Sequence, residues 1–151
     1  MEHQGNHRLR RGRYSETGRP YLLTTITRNR IPLFTDLLLA RTVIQQLRSS
    51  EQEGACQSLA WVLMPDHLHW LVELRKGSLS SLMRAFKSRS SCVLFRAGAV
   101  RQRIWQPGFH DRALRKDDDI KAAARYIIGN PIRAGLVKRV GEYSHWDCVW
   151  L

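Results

Sequence analysis

The sequence predicts an α+β fold: a ferredoxin-like or RRM-like sandwich, with one antiparallel sheet and helices packed on one of its faces. Three observations predict it. Strand-like and helix-like runs follow the order β-α-β-β-α-β-α. Pro65-Asp66 separates the second and third strands closely enough for a hairpin. The third strand has one wholly apolar side, which marks the face that helices cover. The other face of the sheet is then left for a ligand.

The chain has 151 residues, enough for one compact domain, and 43% of them are hydrophobic. Residues 1–13 read as a basic arm carrying Arg8, Arg10, Arg11 and Arg13, able to track phosphates or simply to be solvated. Residues 14–137 read as the folded domain, and 138–151 as a C-terminal tail. Tyr21 to Arg28 (YLLTTITR) is a strand by its Thr, Ile and Leu content. Thr35 and Asp36 can cap a helix through LLLARTVIQQLRSS, with apolar positions at Leu39, Val43, Ile44 and Leu47 and an exit at Gly54. Gln57 to Met64 and His67 to Leu74 are the hairpin strands. Gly77-Ser78 opens a second helix from Leu79 to Arg96, which carries Arg84, Lys87, Arg89 and Arg96. A loop with Trp105, Pro107 and Gly108 leads to a strand from Phe109 to Arg115. Asp117 to Asp119 start a third helix that ends near Asn130-Pro131. From Ile132 to Leu151 the pattern is irregular.

Charge and cysteine content narrow the function classes. Twenty-five Lys and Arg against thirteen Asp and Glu give a formal net charge of +12. That balance suits a polyanion, most simply nucleic acid, with an anionic membrane surface as the rival. No segment is long and apolar enough to span a bilayer, and no apolar run follows the basic start as a secretory signal would require. Cys56, Cys92 and Cys148 are scattered, without zinc spacing, which suits a reduced cytoplasmic protein.

Two groups of residues carry candidate chemistry. His67 and His69 are i and i+2 on a strand, so they share a face, while Leu68, Trp70, Val72 and Leu74 share the apolar one. Two imidazoles on one face can share a cation, or can be exposed histidines without a task. On the third helix, Ile120, Ala124, Ile127 and Ile128 form an apolar stripe. Tyr126 falls off it, on the side of Asp119, Ala122, Ala123 and Asn130. Tyr126 and Asn130 are neighbours if the last turn survives the residue-before-proline restriction at Asn130. A phenol, with an ordinary pKa near ~10, is a poor nucleophile at neutral pH without a metal or cationic surroundings. The basic composition and the histidine pair offer both.

Against this background, MPDHLHWLVEL (Met64 to Leu74) resembles the histidine-hydrophobic-histidine, or HUH, motif of the single-tyrosine transposases. YIIGNPIRAGLV (Tyr126 to Val137) resembles the tyrosine motif of their REP-associated subgroup. GRYSETGRPYLLTTITRNRIPLF, WQPGFHDRALR and the closing YSHWDCVWL are similar to that subgroup as well, so the resemblance runs from Gly12 to the end. It implies a catalytic C-terminal helix and an enzyme that cleaves and rejoins single-stranded DNA hairpins formed by repetitive extragenic palindromes, in the bacterial cytoplasm at the nucleoid. It implies Tyr126 as nucleophile, His67 and His69 as metal ligands, Asn130 as the third ligand, and Mg2+ or Mn2+ as the metal. Relatives outside the subgroup often carry Gln where Asn130 stands. Arg84, Lys87, Arg112, Arg115 and the arm arginines are the expected DNA contacts, and a monomer is expected over a homodimer. His110 is a further polar candidate, structural or DNA-contacting before ligating. Two rivals stand beside this reading: a non-catalytic nucleic-acid-binding module of RRM type, and a metal-dependent nuclease that uses water.

Overall fold

The computed structural model describes residues 15–99, 102–115 and 117–150. Five strands form one antiparallel sheet: β1 (Pro20–Ile26), β2 (Cys56–Met64), β3 (His67–Leu74), β4 (His110–Ala113) and β5 (Trp146–Cys148), in the spatial order β4-β1-β3-β2-β5. The longer helices are α1 (Leu37–Gln52), α2 (Leu79–Arg96) and α3 (Asp117–Ile128), and a four-residue helix α4 (Asn130–Arg133) follows at once. The period-2 and period-3.6 patterns thus give the expected α+β architecture. No helix among the described residues is long and apolar enough to cross a membrane.

Local sequence explains where the elements begin. The Asp36 carboxylate accepts from the backbone N–H groups of Leu38 and Leu39 and caps α1. Gly54 ends that helix with φ +79°, a conformation that disfavours a Cβ. Ser78 and Ser81 form a reciprocal capping box at the start of α2. Pro65 and Asp66 make a two-residue connection between β2 and β3, since Met64 pairs with His67.

Strand alternation then divides the core in two. Tyr21, Leu23, Trp61, Leu63, Leu68, Trp70, Val72 and Leu74 face α1 and α2. In that layer Trp70 and Phe86 have ring centroids 5.4 Å apart, and Phe86 and Trp105 5.8 Å apart. The Trp70 indole N–H donates to Ser58 Oγ and that of Trp105 to Ser90 Oγ, both at 2.9 Å.

The second layer brings a correction to the sequence reading. Leu59, Ala60, Val62, Met64 and Leu71 on the opposite face of the sheet are covered by Ala123, Ala124, Ile127 and Ile128 of α3. That face is therefore not wholly open: α3 lies over part of it. Ala123 belongs to the buried stripe and not to the Tyr126 side, because it is 3% exposed. Ile132 to Leu151 is also less irregular than its pattern suggests. Trp146–Cys148 adds an edge strand to β2, and the Tyr143 hydroxyl donates to the Leu63 carbonyl at 2.6 Å. Three residues are too few for alternation to announce a strand. Similarly, the fourth strand is shorter than Phe109 to Arg115.

Candidate active site

The hairpin sets the first half of the site. His67 and His69 project from β3 on the α3 side of the sheet, with ring centroids 4.8 Å apart and planes at 84°. His67 Nδ1 donates to Asp66 Oδ1 at 2.7 Å, and Asp66 Oδ2 accepts from Arg30 at 3.2 Å. Burial raises the Asp66 pKa, but the hydrogen bonds and charges of His67 and Arg30 outweigh it and hold the carboxyl below its ordinary range. The loop itself is pinned, since Thr27 N–H donates to the Asp66 carbonyl and Phe34 N–H to that of Pro65. Arg30 and Asn29 both have positive φ, 51° and 57°, a costly backbone for non-glycine residues. The strain lies where a side chain must reach the Asp66 carboxylate.

His69 Nδ1 lies 2.8 Å from Thr24 Oγ1, its cross-strand partner on β1. Burial first, then the charges of His67 and Arg133, push the His69 pKa from 6.5 down to about 4. His69 is neutral at pH 7 on that account. A neutral ring that donates from Nδ1 keeps its Nε2 lone pair for another partner. Ligating imidazoles are oriented in this way by carboxylate or hydroxyl partners on the other nitrogen.

The second half of the site comes from the end of α3. Tyr126 is 61% exposed, so its hydroxyl is not walled into the interior. The other described tyrosines are committed. Tyr21 is buried and its hydroxyl accepts from the Glu16 N–H, while the bonded Tyr143 hydroxyl has its pKa pushed up to about 12 by burial. The last turn of α3 survives, because Gly129 N–H donates to the Arg125 carbonyl at 3.1 Å and Gly129 keeps helical dihedrals. Pro131 then sits in the first turn of α4, where a missing N–H costs nothing. Tyr126 and Asn130 accordingly keep their i, i+4 relation.

Arg133 ties these residues together, and the sequence reading missed it. Its guanidinium lies over the Tyr126 ring, 3.9 Å from the centroid, and donates to Asn130 Oδ1 at 2.8 Å and to the Tyr126 carbonyl. An exposed cation–π contact of this kind contributes about 0.5–1 kcal/mol. The signal in the sequence was its position seven residues after Tyr126, hidden by the proline between them.

The structure separates the remaining expected residues. His110 pairs with Thr24 across β4 and β1, in one row with His69, so their side chains share a face. Arg112 shares that face at the edge of the sheet, and both Arg112 and Arg115 are exposed. Arg84 is exposed on α2, which covers the opposite face and keeps it away from the histidines. Lys87 is drawn inward, and its ammonium donates to the Gln106 and Gly108 carbonyls. It acts as a clasp on that loop. Arg8, Arg10, Arg11 and Arg13, like Tyr14, lie outside the described residues.

No group of three His, Cys, Asp or Glu side chains able to hold a metal occurs among the described residues. The side chains here that could donate to a divalent cation are the two imidazoles and the Asn130 amide oxygen, with further oxygens left to a substrate. Such a set suits Mg2+ or Mn2+ that keeps open positions.

Comparison with known proteins agrees with this architecture. The family described as "Transposase IS200 like" matches residues 18–130. A REP-associated tyrosine transposase of Escherichia coli is 30% identical over 135 residues, covering 87% of this chain and 77% of that protein. A Haemophilus influenzae protein assigned to the same group is 24% identical over 140 residues, covering 79% of this chain and 80% of its own length. A solved REP-associated tyrosine transposase bound to a REP hairpin superposes with a TM-score of 0.71 at 27% identity, covering 89% of this chain and 79% of that one. The chain therefore belongs to the IS200-like transposase family and, within it, to the REP-associated tyrosine transposases.

Proposed function

We propose that this protein is a metal-dependent single-strand DNA endonuclease and strand transferase that acts on palindromic hairpins of the REP type through a 5′-phosphotyrosine intermediate. The single observation that carries the reading is the accessible Tyr126, on a helix laid over the face from which His67 and His69 project. The relative solved with a REP hairpin supports the substrate class.

Each residue has a defined task. His67, His69 and Asn130 would hold a divalent cation, which would supply charge stabilisation at the scissile phosphate. Asp66 and Thr24 orient the two imidazoles through Nδ1. The Tyr126 oxygen attacks phosphorus in line. The P–O3′ bond breaks as the O–P bond to tyrosine forms, the phenol gives up its proton, and the departing 3′ oxygen takes one up. The link conserves the energy of the phosphodiester, so a second 3′-hydroxyl can reverse the step without ATP. Exposed arginines such as Arg112 and Arg115 add affinity for phosphates without sequence choice.

The test is a labelled single-stranded hairpin incubated with the protein and Mg2+, resolved on a denaturing gel. A covalent adduct should form and should vanish in Tyr126→Phe and with chelator. Cleavage that persists in Tyr126→Phe would point to a water-using nuclease, and binding without cleavage to a non-catalytic module.

A further inference from the structure

The segment YIIGNPIR places Tyr126, Gly129, Asn130 and Arg133 at i, i+3, i+4 and i+7. They line one face even though two helices meet there, because Gly129 keeps helical dihedrals across the junction. We propose that Arg133 is a positioning residue that locks the Tyr126 ring and the Asn130 amide into one frame, and that Gly129 supplies the space for it to do so. The proposal rests on Tyr126 as nucleophile and Asn130 as an oxygen donor.

Three features of the structure carry it. First, the guanidinium covers one face of a ring that is otherwise largely exposed, which restricts the rotamers the phenol can sample. Second, a guanidinium only donates. Its contact at 2.8 Å therefore requires the oxygen end of the Asn130 amide, not the NH2 end, and so fixes the orientation a cation would need. The amide oxygen has a second lone pair, so the bond to Arg133 and a bond to a metal are compatible. Third, a Cβ at position 129 would stand 2.9 Å from Arg133 Nη1. Gly129 has a negative φ that any residue could adopt, so alanine there would not strain the backbone but would make the tip of Arg133 shift. Lysine could not replace Arg133, since a point charge neither stacks flat on the ring nor reaches two acceptors as a planar fork does.

The experiment compares full-length wild type with Arg133→Ala, Arg133→Lys, Gly129→Ala and the Gly129→Ala/Arg133→Ala double variant. It measures the rate of adduct formation at saturating hairpin, the hairpin Kd, thermal stability, and the tyrosine ring resonances in 13C-labelled, metal-free, DNA-free protein. Arg133→Ala should slow adduct formation by roughly 10- to 100-fold, the scale of loss when reacting groups are misplaced by about an ångström. Its Kd should stay within about threefold of wild type, where losing a phosphate contact would instead weaken binding at unchanged saturated rate. Arg133→Lys should not rescue the rate. Gly129→Ala should keep or raise the melting temperature, alanine being the better helix former, and yet be slow. The double variant should be no slower than Arg133→Ala alone. The Tyr126 ring signals should shift in both single alanine variants.

A wild-type rate in Arg133→Ala, full rescue by lysine, or additive losses in the double variant would overturn the proposal. Unshifted Tyr126 ring signals would overturn it without reference to chemistry. Absence of any adduct in wild type would instead overturn the reading of Tyr126 as nucleophile, and this proposal with it.

Discussion

Acidification should destabilise the metal-free protein through His69. The unfolded chain protonates this imidazole near its ordinary value of 6.5, whereas the folded chain does so only near about 4. Between those values the unfolded state binds a proton that the native state refuses, so stability is full above pH 6.5 and declines as the pH falls toward 4. The gap corresponds to roughly 3 kcal/mol at about 1.36 kcal/mol per pKa unit, a large share of the ~5–15 kcal/mol that holds a typical domain together. The assay is urea denaturation with chelator present, repeated across that pH range in wild type and His69→Gln. The glutamine variant is needed because His145, whose pKa burial also lowers, contributes loss of the same sign. The wild-type curve should fall more steeply than the variant curve, with the difference accumulating to a few kcal/mol. Parallel curves would refute the argument that burial and the neighbouring His67 and Arg133 charges keep His69 neutral.

Further expectations concern the supports of the site. Asp66→Asn keeps the shape but loses the carboxylate acceptor for His67 Nδ1, so Mn2+ affinity measured by calorimetry should weaken by about 10- to 100-fold with the far-UV circular dichroism unchanged. Equal affinities would show that the carboxylate does not orient the ring. Tyr143→Phe removes the hydrogen bond to Leu63 and should cost about 1–2 kcal/mol in denaturant titration while leaving adduct formation intact. Loss of the adduct in that variant would make Tyr143, and not Tyr126, the chemically important phenol. Hairpin affinity should fall steeply as salt is raised, in keeping with a net charge of +12. A flat response would remove phosphate contacts from the account.

The parts of the fold that were legible in the sequence are those where periodicity is strong and local. The alternation of HLHWLVEL assigns Leu68, Trp70, Val72 and Leu74 to the core and the histidines to the other face, and the structure has them so. Asp36 as a cap and Gly54 as an exit are equally local statements. What escaped depended on tertiary placement. The stripe on α3 says that the helix packs on something, but not that it crosses to the second face of the sheet. Trp146–Cys148 is too short to show alternation, and it becomes a strand only because β2 offers an unpaired edge. Lys87 reads as a free cation until the 106–108 loop folds back onto it. Arg133 stayed hidden because proline ordinarily breaks helical spacing, whereas here Gly129 carries the helical path through to it. The pairings of His67 with Asp66 and of His69 with Thr24 likewise depend on rotamer and register, which composition does not contain.

The identity of the linked residue is the most direct measurement. After reaction with a hairpin oligonucleotide, the covalent complex can be digested with nuclease and trypsin and the modified peptide sequenced by mass spectrometry. Cleavage after Arg125 and Arg133 releases residues 126–133, a peptide whose one tyrosine is Tyr126. The account predicts a 5′-phosphonucleotide on that phenol and on no other side chain. A nucleotide attached to Tyr14, Tyr21 or Tyr143, or cleaved DNA with no modified peptide, would contradict it.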